Sequence, residues 1–428
     1  MRLKITPSSV SGKLLAPPSK SYAHRAVILA SLAEGVSIIE NPLLSDDTRY
    51  TIEACRALGA EIAVESDSLK IIGTGGSIKV ADKRKIFAGN SGSTIRMIAP
   101  LAALAQTKVI LDGDSRLRQR PVGELLSALV SLGINARSLN NNGCPPIEID
   151  GGEFKANQVS LSGETSSQPV SALLMAAPYT KEGLSIKIDG GLRSRPYIDI
   201  TLDIMRAFGV EAVNRDYKEF LVEGGQHYKA RRYRIEGDYS SAACFLAAGA
   251  IGGGPVSVTS LKNDSVQGDR HLLTILAEMG ASVEYQKEQV KVHRTGGLKG
   301  VNIDLGDYPD LVPTLAVVAA CASGKTKITN IAHLRFKESD RINDTAAELV
   351  KMGIKTEVGG DTMVIYGGKP QGAEIDAHRD HRLAMSLAVA ALFADGSSII
   401  NGAEAVTKSY PRFFADLLKL GAEVEELS

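Results

Sequence analysis

The run Leu272-Leu273-Thr274-Ile275-Leu276-Ala277-Glu278-Met279-Gly280-Ala281-Ser282-Val283-Glu284-Tyr285 changes its apolar period at the glycine. Residues 272–279 repeat at helical spacing, whereas 281–285 and 289–293 alternate as a half-buried strand does. A glycine just past a helix end is the residue that adopts the left-handed backbone closing the last turn. Outward from this point the same pattern, an apolar or long residue, Gly, then a small or β-branched residue, recurs at Gly59, Gly133, Gly209, Gly353 and Gly421. The spacing is roughly 70 residues, which marks an internal repeat. A second signature, a glycine shortly before Ser or Thr and a β-branched residue, recurs at Gly35, Gly183, Gly254, Gly324 and Gly396, with 107–111 as a version without glycine. Each opens a strand after an alanine-rich apolar helix.

One copy therefore reads polar loop, buried helix, strand, charged loop, amphipathic helix, two strands, with a third strand leading into the next copy. Counted from that strand the unit is βαβαββ. The buried helices are expected over 27–32, 95–105, 170–177, 242–250, 311–322 and 383–393, each apolar on nearly every face and so enclosed by sheet. The first three copies occupy an inserted domain, residues 19–235. Copies four to six form a discontinuous domain of residues 1–18 plus 236–428, with the chain crossing at Pro17 and Pro18 and again near Glu236 and Gly237. The sixth copy stops after one strand, so the strands expected at 3–6 and 13–16 should complete it.

With 428 residues, 44% hydrophobic and 23% charged, the chain has the composition of a globular protein large enough for two cores. Lys plus Arg and Asp plus Glu both number 49, so no overall field recruits nucleic acid or a membrane surface, and an anion site has to be local. Residues 1–10 carry no signal-peptide run and the apolar stretch 311–322 is too short to span a bilayer, which points to the cytoplasm. Cys55, Cys144, Cys244 and Cys321 are far apart, without the spacing of a disulfide framework or zinc site. No metal is expected, since His378 and His381 lack ligands nearby in sequence. Ser323-Gly324-Lys325-Thr326 has Ala319 where a phosphate-binding loop needs its first glycine, and reads as a helix-to-strand turn.

Pro17 and Pro18 deliver Ser19, Lys20 and Ser21 into a helix that includes Arg25. Cations in the first turns oppose the helix dipole unless an anion sits among them. The loops before the other buried helices are equally polar: Asn90 to Thr94; Thr165, Ser166, Ser167 and Gln168; Asp238 to Ser241; Asp307 to Asp310; His378 to Arg382. A second set of equivalent loops carries Asp46, Asp47 and Arg49; Arg116, Arg118 and Arg120; Arg193, Ser194, Arg195 and Tyr197; Lys262, Asp264, Asp269 and Arg270; Lys337 to Arg341; Lys408 to Arg412. Each alone reads equally as a cap, a turn or a solvated face. Their recurrence at equivalent positions points to one site for small polyanions, in a cleft between the domains. Asp310 and Glu338 stand among these cations as candidates for base and acid. No Ser/His/Asp elbow or dinucleotide fingerprint is present, which leaves group transfer between two anionic small molecules.

Pro18 to Arg25, the loop 89–94 followed by Arg96, Arg120 with Pro121, Ser166 to Gln168, Arg195 to Ile200, Lys337 to Arg341, Asp380 to Arg382 and Lys408 together resemble the enolpyruvylshikimate phosphate synthases over essentially the whole chain. The resemblance implies an α/β fold of two domains, an inverse (inside-out) α/β barrel of six βαβαββ repeats, three per domain. It implies transfer of the enolpyruvyl group of phosphoenolpyruvate to the 5-hydroxyl of shikimate 3-phosphate, by addition and elimination, without a cofactor. Matched position by position, Lys20, Ser21, Arg25, Ser166, Ser167 and Gln168 look like contacts to shikimate 3-phosphate, as do Ser194, Tyr197, Asp310, His333 and Lys337. Lys20, Asn90, Gly92, Arg120 and Gln168 look like contacts to phosphoenolpyruvate, with Arg341, Arg382 and Lys408. Asp310, Glu338 and Lys20 are the catalytic group it implies: Asp310 takes the hydroxyl proton, Glu338 serves the methylene and Lys20 assists at the phosphate.

Two positions depart from the family pattern, His333 for a common asparagine and Ser93 for a common threonine, and both are expected to be tolerated. Gly92 matches the glyphosate-sensitive form of its loop, so glyphosate is the expected inhibitor. A monomer is expected, since the site needs no partner chain. A UDP-N-acetylglucosamine enolpyruvyl transferase is the alternative within the fold, but the reactive cysteine usual there is absent from 116–120. A non-catalytic anion-binding repeat scaffold is the alternative outside it, and would have no reason to set Asp310 and Glu338 among cations.

Overall fold

The computed structural model describes residues 1–80, 83–164 and 166–427. Thr165 of the polar loop named above lies outside the described residues. The chain divides into two compact units, Met1–Ser19 with Glu236–Ser428 and Lys20–Ile235. The first division falls one residue beyond the boundary expected from sequence, so Ser19 belongs with the prolines and Lys20 opens the other unit.

Among the described residues there are six four-stranded sheets, three in each unit. All six share one pattern. In the sheet built from Asn302–Asp304, Lys325–Thr329, Thr362–Tyr366 and Thr356–Val358, the first pair is parallel and the next two are antiparallel. The parallel pair needs a crossover, which the buried helix Val312–Ala320 supplies; the antiparallel pair follows the amphipathic helix Arg341–Lys351. The six glycines that end the amphipathic helices all have positive φ, from 77° at Gly353 to 105° at Gly280. A side chain there would be strained, which is why the signature survives in every copy.

The N-terminal strands separate. Arg2–Thr6 pairs with Ser398–Asn401 and Glu423–Leu427 and so fills the open place in the sixth sheet. Gly12–Leu15, expected in that same copy, instead pairs in parallel with Val256–Thr259 of the fourth sheet. It takes the place that Arg232–Arg234, Arg84–Phe87, Gln158–Leu161, Asn302–Asp304 and Glu374–Asp376 take in the other five. The fourth sheet needs a strand before the helix Tyr239–Ile251, and residues 12–15 precede that helix in space although residues 20–235 intervene in sequence.

Each unit has its own core. Every residue of Val312–Ala320 and Tyr239–Ile251 is buried, and only Ser21 and Lys20 interrupt the burial of Lys20–Leu32. A fully buried Val or Leu side chain contributes roughly 1.5–3 kcal/mol, so these helices are held by enclosure rather than by one apolar stripe. A polar pin fixes their register in the discontinuous unit: Thr314 Oγ1 lies 3.0 Å from Ser386 Oγ and 3.5 Å from Cys244 Sγ, one group from each of three buried helices. The pin sets the three helix starts, where Tyr239–Ile251, Val312–Ala320 and His381–Leu392 carry or adjoin the charged loops. Ser323–Thr326 is a turn into the strand Lys325–Thr329, with Gly324 at φ 81°. No helix among the described residues is long and apolar enough to cross a membrane.

Candidate active site

In the inserted unit, Lys20 is the first residue of its helix and its Nζ lies 3.1 Å from Asp47 Oδ2, with the Asp47 side chain 4% exposed. The anion required at this helix start is thus supplied in part by the protein. Asp47 was legible only as one member of a charged loop, and its pairing with Lys20 joins two helix N-termini.

Arg25 is 2% exposed, and all its partners are neutral oxygens. Nε donates to Thr201 Oγ1 at 2.8 Å, Nη1 to the Ser21 carbonyl at 2.9 Å, and Nη2 to the Tyr197 carbonyl at 2.9 Å and Ser171 Oγ at 3.4 Å. Burial pushes this guanidinium down to about 10 from its ordinary value. A buried cation without a counter-charge is costly, so the protein holds a charge there that an anion would relieve. Beside it Ser194 is buried at φ 58°, and its Oγ has no partner among the described residues.

A second cluster in the same unit surrounds the start of the helix Gly92–Ala103, capped by Ser91, whose side chain accepts from the Thr94 amide. Arg96 Nη1 donates to the Gly92 carbonyl at 3.1 Å and to Gln168 Oε1 at 3.0 Å, and Nη2 to the Pro121 carbonyl at 2.7 Å. Gln168 Nε2 donates to Ser93 Oγ at 3.1 Å, so the serine at this departure from the family pattern keeps a hydroxyl in the network. Arg120, 4% exposed, donates from Nη1 to the Asn90 carbonyl at 3.4 Å. A Cβ on Gly92 would lie 2.6 Å from Arg120 Nη2 and 2.7 Å from Arg96 Nη1, so only glycine lets both guanidinium groups approach. Arg96 is the brace that the sequence did not single out as a site residue. Ser166 Oγ accepts from the Gln168 amide at 3.2 Å, and Ser167 is buried at the N-cap.

In the discontinuous unit Asp310, Glu338, Arg341 and Arg382 form one cluster. Arg341, 1% exposed, donates from Nη1 to Asp310 Oδ1 at 2.6 Å, from Nη2 to Glu338 Oε2 at 2.9 Å and from Nε to Asp380 Oδ2 at 2.8 Å. Burial alone would lower its affinity for the proton, but the Asp380, Glu338 and Asp310 carboxylates hold it well above the ordinary guanidinium value. Asp310 is shared, since its Oδ2 accepts from Arg382 Nη2 at 2.9 Å. Asp380 is fully buried, caps the helix His381–Leu392 through the Arg382 amide at 2.8 Å, and accepts from Ser339 Oγ at 3.1 Å. Asp340 caps the neighbouring helix Arg341–Lys351 at the Ile342 and Asn343 amides. The two arginines are therefore carried at capped helix starts and oriented by carboxylates. His333 is buried in the turn Ala332–Phe336 with Lys337 following it, and Lys408 is 7% exposed at the end of the turn Ala403–Lys408.

His378 Nε2 lies 2.7 Å from Glu348 Oε1, and His381 is buried in the first turn of its helix. No group of three His, Cys, Asp or Glu side chains able to hold a metal ion occurs among the described residues. The chemistry on offer is charge and proton transfer: the buried Arg25, the Arg96 and Arg120 pair, the Arg341 and Arg382 pair bridged by Asp310, and the Asp310 and Glu338 carboxylates held beside guanidinium groups.

The sequence model of the EPSP synthase (3-phosphoshikimate 1-carboxyvinyltransferase) family matches residues 5–417. The chain belongs to this family. Over 426 residues it is 45% identical to the 3-phosphoshikimate 1-carboxyvinyltransferase of Methanocella arvoryzae, covering 99% of this chain and 100% of that one. With the Methanococcoides burtonii protein of the same name it shares 44% identity over 427 residues, 99% of both chains. Its fold matches an EPSP synthase structure from Acinetobacter baumannii with a TM-score of 0.83 at 29% identity, across 99% of this chain and 100% of that one. As a member of the EPSP synthase family the chain is a transferase of aromatic amino acid biosynthesis: it moves the enolpyruvyl group of phosphoenolpyruvate to shikimate 3-phosphate in the shikimate pathway.

Proposed function

We propose that Arg25, Ser166 and Ser194 receive the phosphate of shikimate 3-phosphate, and that Lys20, Arg120, Arg341, Arg382 and Lys408 hold the two anionic groups of phosphoenolpyruvate. The buried Arg25 without a carboxylate partner carries the first assignment, since a phosphate is the ligand that offsets such a charge through several N–H donors. Ser21, Ser167, Gln168, Tyr197, His333 and Lys337 complete the shikimate 3-phosphate contacts, and Asn90 and Gly92 those to phosphoenolpyruvate.

The reaction then runs as follows. The 5-hydroxyl oxygen bonds to C2 of phosphoenolpyruvate while its proton passes to the Asp310 carboxylate, and C3 takes the proton of the Glu338 carboxyl group to become a methyl group. In the second step the bond from C2 to the phosphate oxygen breaks, the methyl group loses a proton, and the enol ether and phosphate are released. Glu338 moves the proton at C3. Having given its proton to C3 in the first step, Glu338 is the carboxylate that takes one back from the methyl group in the second, held in place by the hydrogen bond from Arg341. Lys20 neutralises charge on the departing phosphate. Fixing two polyanions among preset cations supplies proximity and charge stabilisation without reorganisation at the moment of reaction.

The shared sheet pattern supports six βαβαββ repeats, three to each unit, arranged as an inverse α/β barrel in which sheets enclose the buried helices. The protein works as a monomer in the cytoplasm, which accords with sites built from a single chain. The direct test is phosphate release, which should require shikimate 3-phosphate and phosphoenolpyruvate together; release with a UDP-sugar in place of shikimate 3-phosphate would reject the assignment.

Glyphosate, a small dianion with a phosphonate and a carboxylate, should inhibit by occupying the phosphoenolpyruvate contacts. Gly92→Ala should weaken both ligands, because the new methyl group displaces Arg120 and Arg96. The expected result is a KM for phosphoenolpyruvate raised about tenfold with a larger loss of glyphosate affinity, read from initial rates across both concentrations. Unchanged constants in this variant, or wild-type activity persisting at high glyphosate, would remove Gly92 from the site.

A further inference from the structure

Asp269 is a buried carboxylate near the discontinuous unit's cluster that the reading above does not use. It sits in the turn Gly268–His271, is 4% exposed, and accepts from Ser240 Oγ through Oδ2. Its other oxygen, Oδ1, is buried with no hydrogen-bond partner among the described residues. Asp310 differs, since both its oxygens accept from guanidinium groups. A buried carboxylate with one hydroxyl as its partner is unfavourable as an anion, and the charges around it make it more so. Asp310 and Asp238 both oppose its ionisation, with Arg382 and the Ser240 hydroxyl favouring it. Burial is the largest of these influences and, with Asp310, lifts its affinity for the proton to about 7, far above an ordinary carboxyl.

The surroundings set what an ionised Asp269 would do. Arg341 already meets three carboxylates, Asp310, Glu338 and Asp380, and Arg382 is tied to Asp310. A further buried anion would draw on Arg382, whose positive charge favours ionisation of Asp269.

We propose that Asp269 is a positioning residue that works as a neutral carboxylic acid, and that its ionisation withdraws Arg382 from the anionic substrate. As long as the proton stays on Asp269, Arg382 is shared between Asp310 and the incoming carboxylate or phosphate. Once it leaves, Asp269 competes for the same guanidinium and the substrate is held less tightly. The substrate half of this statement rests on the assignment of Arg382 to phosphoenolpyruvate.

The test separates the two halves. In an unfolded chain Asp269 ionises near its ordinary value of 3.8, whereas in the folded protein it holds the proton to about 7. Folding stability is therefore lost as pH rises from about 4 toward 7 and is flat above, because the unfolded state releases the proton first. Asp269→Asn, which mimics the neutral acid, should melt higher than wild type at pH 7 to 8 and equal to it near pH 4. Ser240→Ala removes the one donor to the anion, so its stability loss should extend to higher pH than in wild type. In initial-rate measurements the wild-type KM for phosphoenolpyruvate should rise severalfold between pH 6 and 8.5, and the Asp269→Asn value should stay nearly level.

Matching melting curves for wild type and Asp269→Asn across this range would overturn the neutral acid. Flattened melting with an unaltered KM course would keep the neutral acid and overturn its link to Arg382. Should the protein release no phosphate from the two substrates at all, the functional reading fails, and melting alone still decides the protonation of Asp269.

Discussion

Lys20→Ala is expected to lower kcat/KM for phosphate release by about 10²–10³-fold, the loss that follows when one preset donor is taken from a developing anion. Two effects combine. The ammonium proposed to meet phosphate is gone, and Asp47, whose side chain is 4% exposed, loses its ion pair with Lys20. The paired variants distinguish them. In Lys20→Ala/Asp47→Asn the stranded charge is removed, so a Lys20 that served only to neutralise Asp47 would be replaced and activity would return. With Lys20 acting on the substrate, the double variant stays at least about 10²-fold impaired, and the non-additive remainder measures the Lys20 to Asp47 coupling. Recovery to within a few-fold of wild type would remove Lys20 from the chemistry.

Asp380→Ala should produce a large loss of stability in the discontinuous unit. Asp380 is fully buried and serves Arg341, Ser339 and the amide that opens the helix His381–Leu392. Its removal takes one carboxylate from a guanidinium that is itself 1% exposed, and removes a helix cap. Breaking a buried ion pair costs roughly 3–5 kcal/mol and losing a cap about 1 kcal/mol, although Asp310 and Glu338 retain part of the pairing. The melting transition of that unit should fall by on the order of 10 °C. Asp380→Asn keeps the oxygen that caps the Arg382 amide and should recover part of the loss while still lacking the charge. Activity should fall in both, because Asp380 holds the Arg341 guanidinium and caps the helix start that carries Arg382. A melting temperature within about 2 °C of wild type in Asp380→Ala would show that the other two carboxylates suffice.

The glycine at each helix end, the buried helices and the strand alternation were all legible, because each is dictated within a few residues by backbone sterics and apolar period. Gly280 at φ 105° and Gly353 at φ 77° are conformations that no neighbouring residue could have taken over. The candidate residues were likewise legible as a set, since polar loops recur at equivalent places in the repeat. Their pairing was not. Asp47 and Asp380 stand in different loops from their partners Lys20 and Arg341, and nothing in their immediate sequence says which cation each would meet.

What the sequence by itself determined is local: where helices stop, which helices are enclosed, and which loops carry the charges, all set by propensity and periodicity. Only the tertiary structure decided the rest. It placed Gly12–Leu15 in the fourth sheet and Arg2–Thr6 in the sixth, because strand pairing follows the edge left open in space. It left Arg25 buried among neutral oxygens and Arg341 among carboxylates, although both are arginines in the first turns of helices. The physical reason is that a buried charge takes its energy from whatever groups converge on it, and those come from elements far apart in the chain.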